Sequence, residues 1–200
     1  MDVQLLDPDR APDVVDALSE AFFDYAVMRY VVGAEEDDYQ ARQRRLVELF
    51  VMARVLRGEP LLGIEGTVGL DAAAILSRPY DRPAPDALRA LARQVWHDLG
   101  APARARYGAF VAACAPFEVD EPHLHLNMIG VRRVRRGAGL GRSLIDEVHE
   151  MSRRDEVSVG VTLTTEDPRN VPMYEHLGYR VVGTAVVAPE LTTWGFFRPD

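Results

Sequence analysis

Eight residues, Arg135 to Arg142 (RRGAGLGR), hold three glycines and three arginines and lead straight into the apolar-patterned segment SLIDEV. Such a stretch can seat an anion. Glycine lets a ligand approach the backbone, and the unpaired amides at a helix start point, with the helix dipole, at one spot. A nucleoside-triphosphate loop, G-x-x-x-x-G-K-[ST], would end on Gly141-Arg142-Ser143, but its first glycine falls on Arg136 and its lysine is missing. A dinucleotide fingerprint would need glycine at 142 after Gly137 and Gly139, and it opens the first βα unit of a doubly wound sheet, whereas this loop follows two-thirds of the chain. What remains is R-x-x-G-x-G on Arg136, Gly139 and Gly141, between a strand and a helix. That pattern suits a pyrophosphate, and it also suits a plain strand-to-helix turn that uses glycine for its angles.

Composition narrows the chemistry further. The chain has 200 residues, 48% hydrophobic and 27% charged, enough to bury a core. All 23 basic residues are arginine, so a lysine Schiff base and the usual pyridoxal phosphate chemistry are excluded. Cys114 is the one cysteine, so an internal disulfide is excluded, and a zinc site would need His and carboxylate ligands; we expect no metal. A formal net charge of -8 argues against nucleic acid as a partner, since duplex binding needs a broad basic face. The positive charge is local: Arg132, Arg133, Arg135, Arg136 and Arg142 fall within eleven residues, while AEEDD (34–38) and Glu118, Asp120 and Glu121 form acidic clusters elsewhere. The opening MDVQLLDPDR has no apolar run, and nowhere do 18 consecutive apolar residues occur. We therefore expect neither a leader nor a membrane span, and a cytoplasmic protein.

The elements that must position these residues follow from periodicity. VQLL predicts a first strand, and Val14, Leu18, Phe22 and Ala26 predict one helix running to about Tyr30. A second helix is expected from about Asp38 to Leu56, ended by Gly58 to Pro60. LLGIEG and LDAAAILSR predict neighbouring antiparallel strands. Pro79, Pro83 and Pro85 break the pattern, residues 85–99 predict a helix, and GAFVAACAP fits helix or strand. PHLHLNMIGV then predicts a strand with His123, His125 and Asn127 on one face, followed by the glycine loop and a helix to about Arg153. Strand VSVGVTLTT, a short helix at 171–177, strand YRVVGTAVV and a last strand TTWGFF complete the chain. We expect one mixed α/β domain spanning 1–200.

Two stretches, MIGVRRVRRGAGLGRSLIDE and TTEDPRNVPMYEHLGYRVVG, with Asn170, Tyr174 and Gly178-Tyr179 in the second, resemble the coenzyme A motif and the following motif of the GCN5-related N-acetyltransferase (GNAT) superfamily. The resemblance is strongest over about 123–187. EAFFDYAVMRYVV, the helix before RGEPLLGIEG, and TTWGFFRP are similar to the small-molecule, puromycin-type subgroup. In the strand before the glycine loop, Arg132-Arg133 stands where the superfamily commonly has proline.

The resemblance implies a single mixed, mostly antiparallel sheet with a splayed central strand pair and flanking helices. It also implies an enzyme that moves an acetyl group from acetyl-CoA to the amine of a small, cationic molecule by direct attack in a ternary complex. Backbone amides from Gly137 through Ala138, Gly139 and Leu140 to Gly141 would hold the pyrophosphate, with Arg136, Arg142 or Arg133 adding charge. Backbone near Met128, Ile129 and Val131 would pair with pantetheine as a pseudo-strand, and Asn170 matches a further cofactor-motif position. A backbone N–H at Asn127 or Met128 would stabilise the oxyanion, and Tyr174 matches the acid that protonates the leaving thiolate. The base stays open among His123, His125 and the acids Glu118, Asp120 and Glu121, or solvent. Two other readings share the cofactor loop: a non-catalytic acyl-CoA sensor, and transfer of a longer acyl chain. A homodimer also stays open.

Overall fold

The computed structural model describes residues 2–34, 37–80 and 83–200, so Glu35 and Glu36 of the AEEDD cluster lie outside the described residues. Seven strands, β1 (Gln4–Leu5), β2 (Leu61–Glu65), β3 (Leu70–Ser77), β4 (Leu124–Val131), β5 (Gly160–Thr165), β6 (Arg180–Ala188) and β7 (Leu191–Pro199), form one sheet in the order β1-β2-β3-β4-β5-β7-β6. Every neighbouring pair is antiparallel except β4–β5, which is parallel. A parallel pair needs a crossover, and α5 (Leu140–Arg154) supplies it, burying Leu140, Leu144 and Val148 at helical spacing.

The expected first helix is instead two, α1 (Ala11–Ala21) and α2 (Ala26–Val32). Tyr25 interrupts them in extended conformation and sends its hydroxyl to Thr165 on β5 (3.0 Å). Apolar spacing continued across the break because both helices bury the same side, but the tertiary contact of Tyr25 decides the geometry. α3 (Tyr39–Arg57) agrees with the sequence, ending in Gly58 at φ 67°. The Pro- and Arg-rich region gives a long α4 (Asp86–Cys114) kinked at Gly100, and GAFVAAC is helical. Tyr107 of the second half packs against Trp96 (5.0 Å between centroids) and against Phe50 of α3. Guanidinium groups cap carbonyls here: Arg42 donates to Leu99 O (2.8 Å) and Arg106 to Val31 O (3.0 Å).

Helices α1 to α4 cover one face of the sheet, and α5 with α6 (Asn170–His176) cover the other. On β3, Ala73 and Ile75 enter the first core while Ala72, Ala74 and Leu76 enter the second. β4 does not alternate so simply. Ile75 pairs with Met128 and the adjacent Leu76 with Leu126, leaving Asn127 as an extra residue in a β-bulge. Leu124 and Leu126 therefore face α5 while Met128 faces the opposite core. The expected face shared by His123, His125 and Asn127 is corrected accordingly: His123 precedes the strand, and Asn127 sits at the bulge.

A second device sets the link between α4 and β4. Gly183 of β6 and Gly195 of β7 are a cross-strand pair, and Phe117 lies over both. A Cβ on Gly195 would come within 2.6 Å of Phe117 and one on Gly183 within 2.1 Å, so this ring fills the space of two missing side chains. Gly183→Ala should force the ring out and destabilise by about 1–3 kcal/mol, the usual range for overpacking, read as a lowered urea midpoint. Phe117→Leu in the same background should return part of the loss.

Candidate functional site

Strands β4 and β5 pair over three positions only, Leu124–Val161, His125–Thr162 and Leu126–Leu163. Beyond them β4 stays with β3 and β5 with β7, so the sheet opens as a wedge at its centre. The wedge leads into a cavity of about 280 Å³. Its polar rim includes Tyr25, Arg54, His125, Asn127, Glu166 and Tyr174, and its apolar wall comes from α2, α3 and α4, with Met28, Leu46, Phe50 and Phe110. A second cavity adjoins it, sharing Phe110, His125, Leu163 and Thr164 and lined further by Cys114, Glu118, Asp120 and His123.

Tyr174 is 5% exposed and packs edge-on against Tyr179 and at a tilt on Phe196. No described residue bonds its hydroxyl. Burial, and then the negative charge of Glu166, push its pKa up to about 12, so it keeps its proton throughout the neutral range. Tyr25 closes a small network. Asn170 Nδ2 donates to Thr165 Oγ1 (3.1 Å), as does the Asp167 N–H (3.4 Å), which leaves the Thr165 proton for the Tyr25 oxygen. Glu166 N–H also donates to that oxygen (2.9 Å). The side chain of Asn170 is thus engaged in holding the β5–α6 turn, at the edge of the same cavity.

Glu166 is the residue that sequence reading missed. It is 7% exposed, lines the cavity with Tyr174, and receives a hydrogen bond on Oε1 from Thr193 (2.8 Å). Burial raises its pKa to about 7, with the hydrogen bonds from Thr193 and Tyr25 acting in the opposite direction. An acid directly after a β-branched strand and before Asp-Pro was the one available signal, and it does not report burial. His125 lies where the two cavities meet, with Nδ1 2.9 Å from Thr162 Oγ1, and burial lowers its pKa to about 4. Glu118 is exposed beside the second cavity, in the company of His123 and apart from Tyr174. Asn127 Oδ1 accepts from Ser77 Oγ (2.9 Å) and from the Arg54 guanidinium (3.2 Å), whose own pKa burial lowers.

At the glycine loop, Gly137 and Gly139 both have φ 81°, and a Cβ on either would meet nothing within 4 Å. Gly139 is the N-cap of α5, no side chain caps that helix, and its first ladder bond runs from Ser143 N to Gly139 O. The amides of Leu140, Gly141 and Arg142 therefore precede the ladder. The arginines are not the loose cationic cluster that the sequence suggests. Arg132 pairs with Glu20, Arg133 with Asp24, Arg135 with Asp71 (2.9 Å) and Arg142 with Asp146 (2.8 Å). Burial would raise the Glu20 carboxyl, but the Arg133 N–H and the Arg132 guanidinium outweigh it and hold Glu20 below its usual range. Arg136 differs: its guanidinium reaches the Ala21 carbonyl (3.2 Å), and no described carboxylate pairs with it.

Residues 105–192 match the family described as Acetyltransferase (GNAT) domain. Among solved structures, the chain is similar to the histone acetyltransferase HPA2 and related acetyltransferase of Corynebacterium glutamicum, at 20% identity over 99% of this chain and 96% of that one, with a TM-score of 0.70. It is also similar to the ribosomal-protein-alanine N-acetyltransferase of Brucella melitensis (14% identity, all of both chains, TM-score 0.57). A third is the NatB acetyltransferase complex bound to CoA and MES (11% identity, 100% of this chain and 99% of that one, TM-score 0.54). The wedge and the glycine-capped helix both lie within the residues that match this acetyltransferase (GNAT) domain family, and these structures share the fold of the whole chain.

Proposed function

We propose that the chain is an acetyl-CoA-dependent N-acetyltransferase, one domain over residues 1–200, acting on a small amine that is cationic at neutral pH. The observation that carries this reading is the wedge: past Leu126, β4 has an edge that β5 does not pair, and that edge borders a cavity holding a protonated, buried tyrosine. Pantetheine is a chain of amides, and it would take the place of the missing strand against the backbone of Met128, Ile129 and Val131. Its pyrophosphate would meet the amides from Gly137 to Gly141, with Ala138 and Leu140 between the glycines and Arg136 as the cation that no described acid already holds. Open space at the Cβ positions of Gly137 and Gly139 fits such a cradle.

The acetyl carbon would then lie beside the bulge, where a backbone N–H of Asn127 or Met128 receives the developing oxyanion. The amine attacks, the C–S bond breaks with its electron pair going to sulfur, and Tyr174 offers its proton there. Arg142 and Arg133 add charge at a distance, each already shared with an acid. For the acceptor, Glu118 and Asp120 on the adjoining cavity supply negative charge at its approach. The apolar wall from α2 to α4 favours an acceptor with an apolar body rather than the puromycin type in particular.

Thiol release from acetyl-CoA against a panel of amines tests the reading, with turnover expected on cationic amines carrying an aromatic or aliphatic body and little on anionic acceptors. Binding of acetyl-CoA with no turnover on any amine would favour the sensor instead. Tyr174→Phe keeps the ring and its packing, so stability should move by under about 1 kcal/mol and acetyl-CoA affinity little, while kcat falls by about 10² to 10⁴. Unaltered kcat on a good acceptor would take Tyr174 out of the mechanism.

Gly141→Val and Gly139→Val should both abolish CoA binding in calorimetric titration while the protein stays folded. Gly141 is the cleaner case, since its Cβ would meet only Val131 Cγ2, at 3.6 Å. Valine at Gly139 also carries the cost of a positive φ, about 1–2 kcal/mol. Folded variants with parental affinity would refute the cradle.

A further inference from the structure

We propose that Glu166 is the group that takes the proton from the acceptor ammonium before the amine attacks. The inference rests on reading the cavity as an acetyl-transfer site. Glu166 follows the last residue of β5, on the open side of the wedge, and lines the cavity together with Tyr174 and Asn127. Its carboxylate is almost wholly removed from bulk water, and no described cation pairs with it; its neutral partners are the Thr193 and Tyr25 hydroxyls. A carboxylate buried without a cation is costly, and a cation entering the cavity would relieve that cost. An acceptor ammonium is such a cation.

The alternatives from sequence are placed less well. His125 reaches the cavity, but burial leaves it with a pKa near 4, so at neutral pH it holds a proton weakly. Glu118 is exposed and faces the neighbouring cavity. Glu166, raised to about 7, is matched to accept a proton near neutral pH. The titratable groups set against it are Tyr25 from the α1–α2 link, Tyr174 from α6 and Cys114 from α4. Burial raises all three, so they stay uncharged while Glu166 titrates.

The steps balance. The ammonium gives one proton to the carboxylate, leaving a neutral amine and a neutral carboxylic acid. The nitrogen lone pair forms the N–C bond, and the C–S bond breaks with its electrons on sulfur. Tyr174 gives its proton to that sulfur and regains one from the nitrogen of the adduct through solvent, while Glu166 later releases its proton to water. The two residues are also coupled. The charge of Glu166 is one cause of the raised Tyr174 pKa, so neutralising Glu166 eases donation by Tyr174 at the following step.

Glu166→Gln keeps the shape and an acceptor for Thr193 but cannot take a proton. With 2-phenylethylamine and acetyl-CoA as probes, kcat should fall by about 10²-fold or more, with loss of the acid limb near pH 7 in the kcat/KM profile, and acetyl-CoA affinity should stay within a few-fold. Thr193→Val removes the bond that favours the charged form, so it should move that limb to higher pH.

Stability gives a readout without turnover. Because the folded carboxyl lies above its unfolded value, its contribution is complete below about pH 4.5 and is lost as pH rises through about 7. The parent should thus lose urea midpoint between pH 5 and pH 8 relative to Glu166→Gln. Full kcat with an unchanged acid limb in both variants would overturn the assignment of Glu166 while leaving the acetyltransferase reading in place. A parent that binds acetyl-CoA yet acetylates neither 2-phenylethylamine nor any amine of the panel would overturn both.

Discussion

A parallel strand pair that stops after three residues sets the rest of this structure. In most sheets the free edges lie at the two outer strands, where water or a covering element satisfies the backbone. Here an edge opens in the centre, because the bulge at Asn127 adds a residue to β4 while β5 continues straight with β7. Buried backbone groups must find partners, so a wedge in mid-sheet persists only where something fills it or where it borders a cavity. The surrounding elements are arranged for that. Tyr25 crosses from the α1–α2 link to hold Thr165 and Glu166 at the free end of β5, and Arg54 with Ser77 holds Asn127 at the bulge.

The same opening explains the electrostatics of the cavity. Glu166, His125 and Arg54 are all shifted toward their neutral forms, and for each the leading cause is burial. Charged groups placed without full hydration interact strongly with whatever enters, at a cost in folding stability. The glycine loop follows the opposite arrangement. Its arginines are exposed or partly exposed and mostly matched to acids on α1, β3 and α5, so they fix the loop to the scaffold. Surface pairs of this kind contribute little individually, about 0–1 kcal/mol, but four of them orient the segment between β4 and α5. What the loop presents to an anion is chiefly backbone amides and Arg136.

Much was legible from residues alone. The R-x-x-G-x-G spacing, the glycine turn and the amphipathic period of α5 are local features, and local features survive in a linear reading. The order of strands and helices from β2 to β7 also followed from apolar runs and breakers. The family resemblance added the splayed pair and the interest in Tyr174, which neither composition nor spacing would have supplied.

The tertiary structure decided what depends on distant partners. The split of the first helix at Tyr25 is set by a strand 140 residues away, and the buried Glu166 takes its hydrogen bond from Thr193, 27 residues on. The bulge at Asn127 reversed the side-chain alternation of β4, since one inserted residue turns every later side chain to the other face. Five arginines read in sequence as a cationic patch, yet Glu20, Asp24 and Asp71, from the α1 region and β3, claim three of them. Residue type and spacing thus determined which groups could do chemistry, whereas burial and pairing, which come from contacts across the chain, decided which of them are charged, which are occupied and which face the cavity.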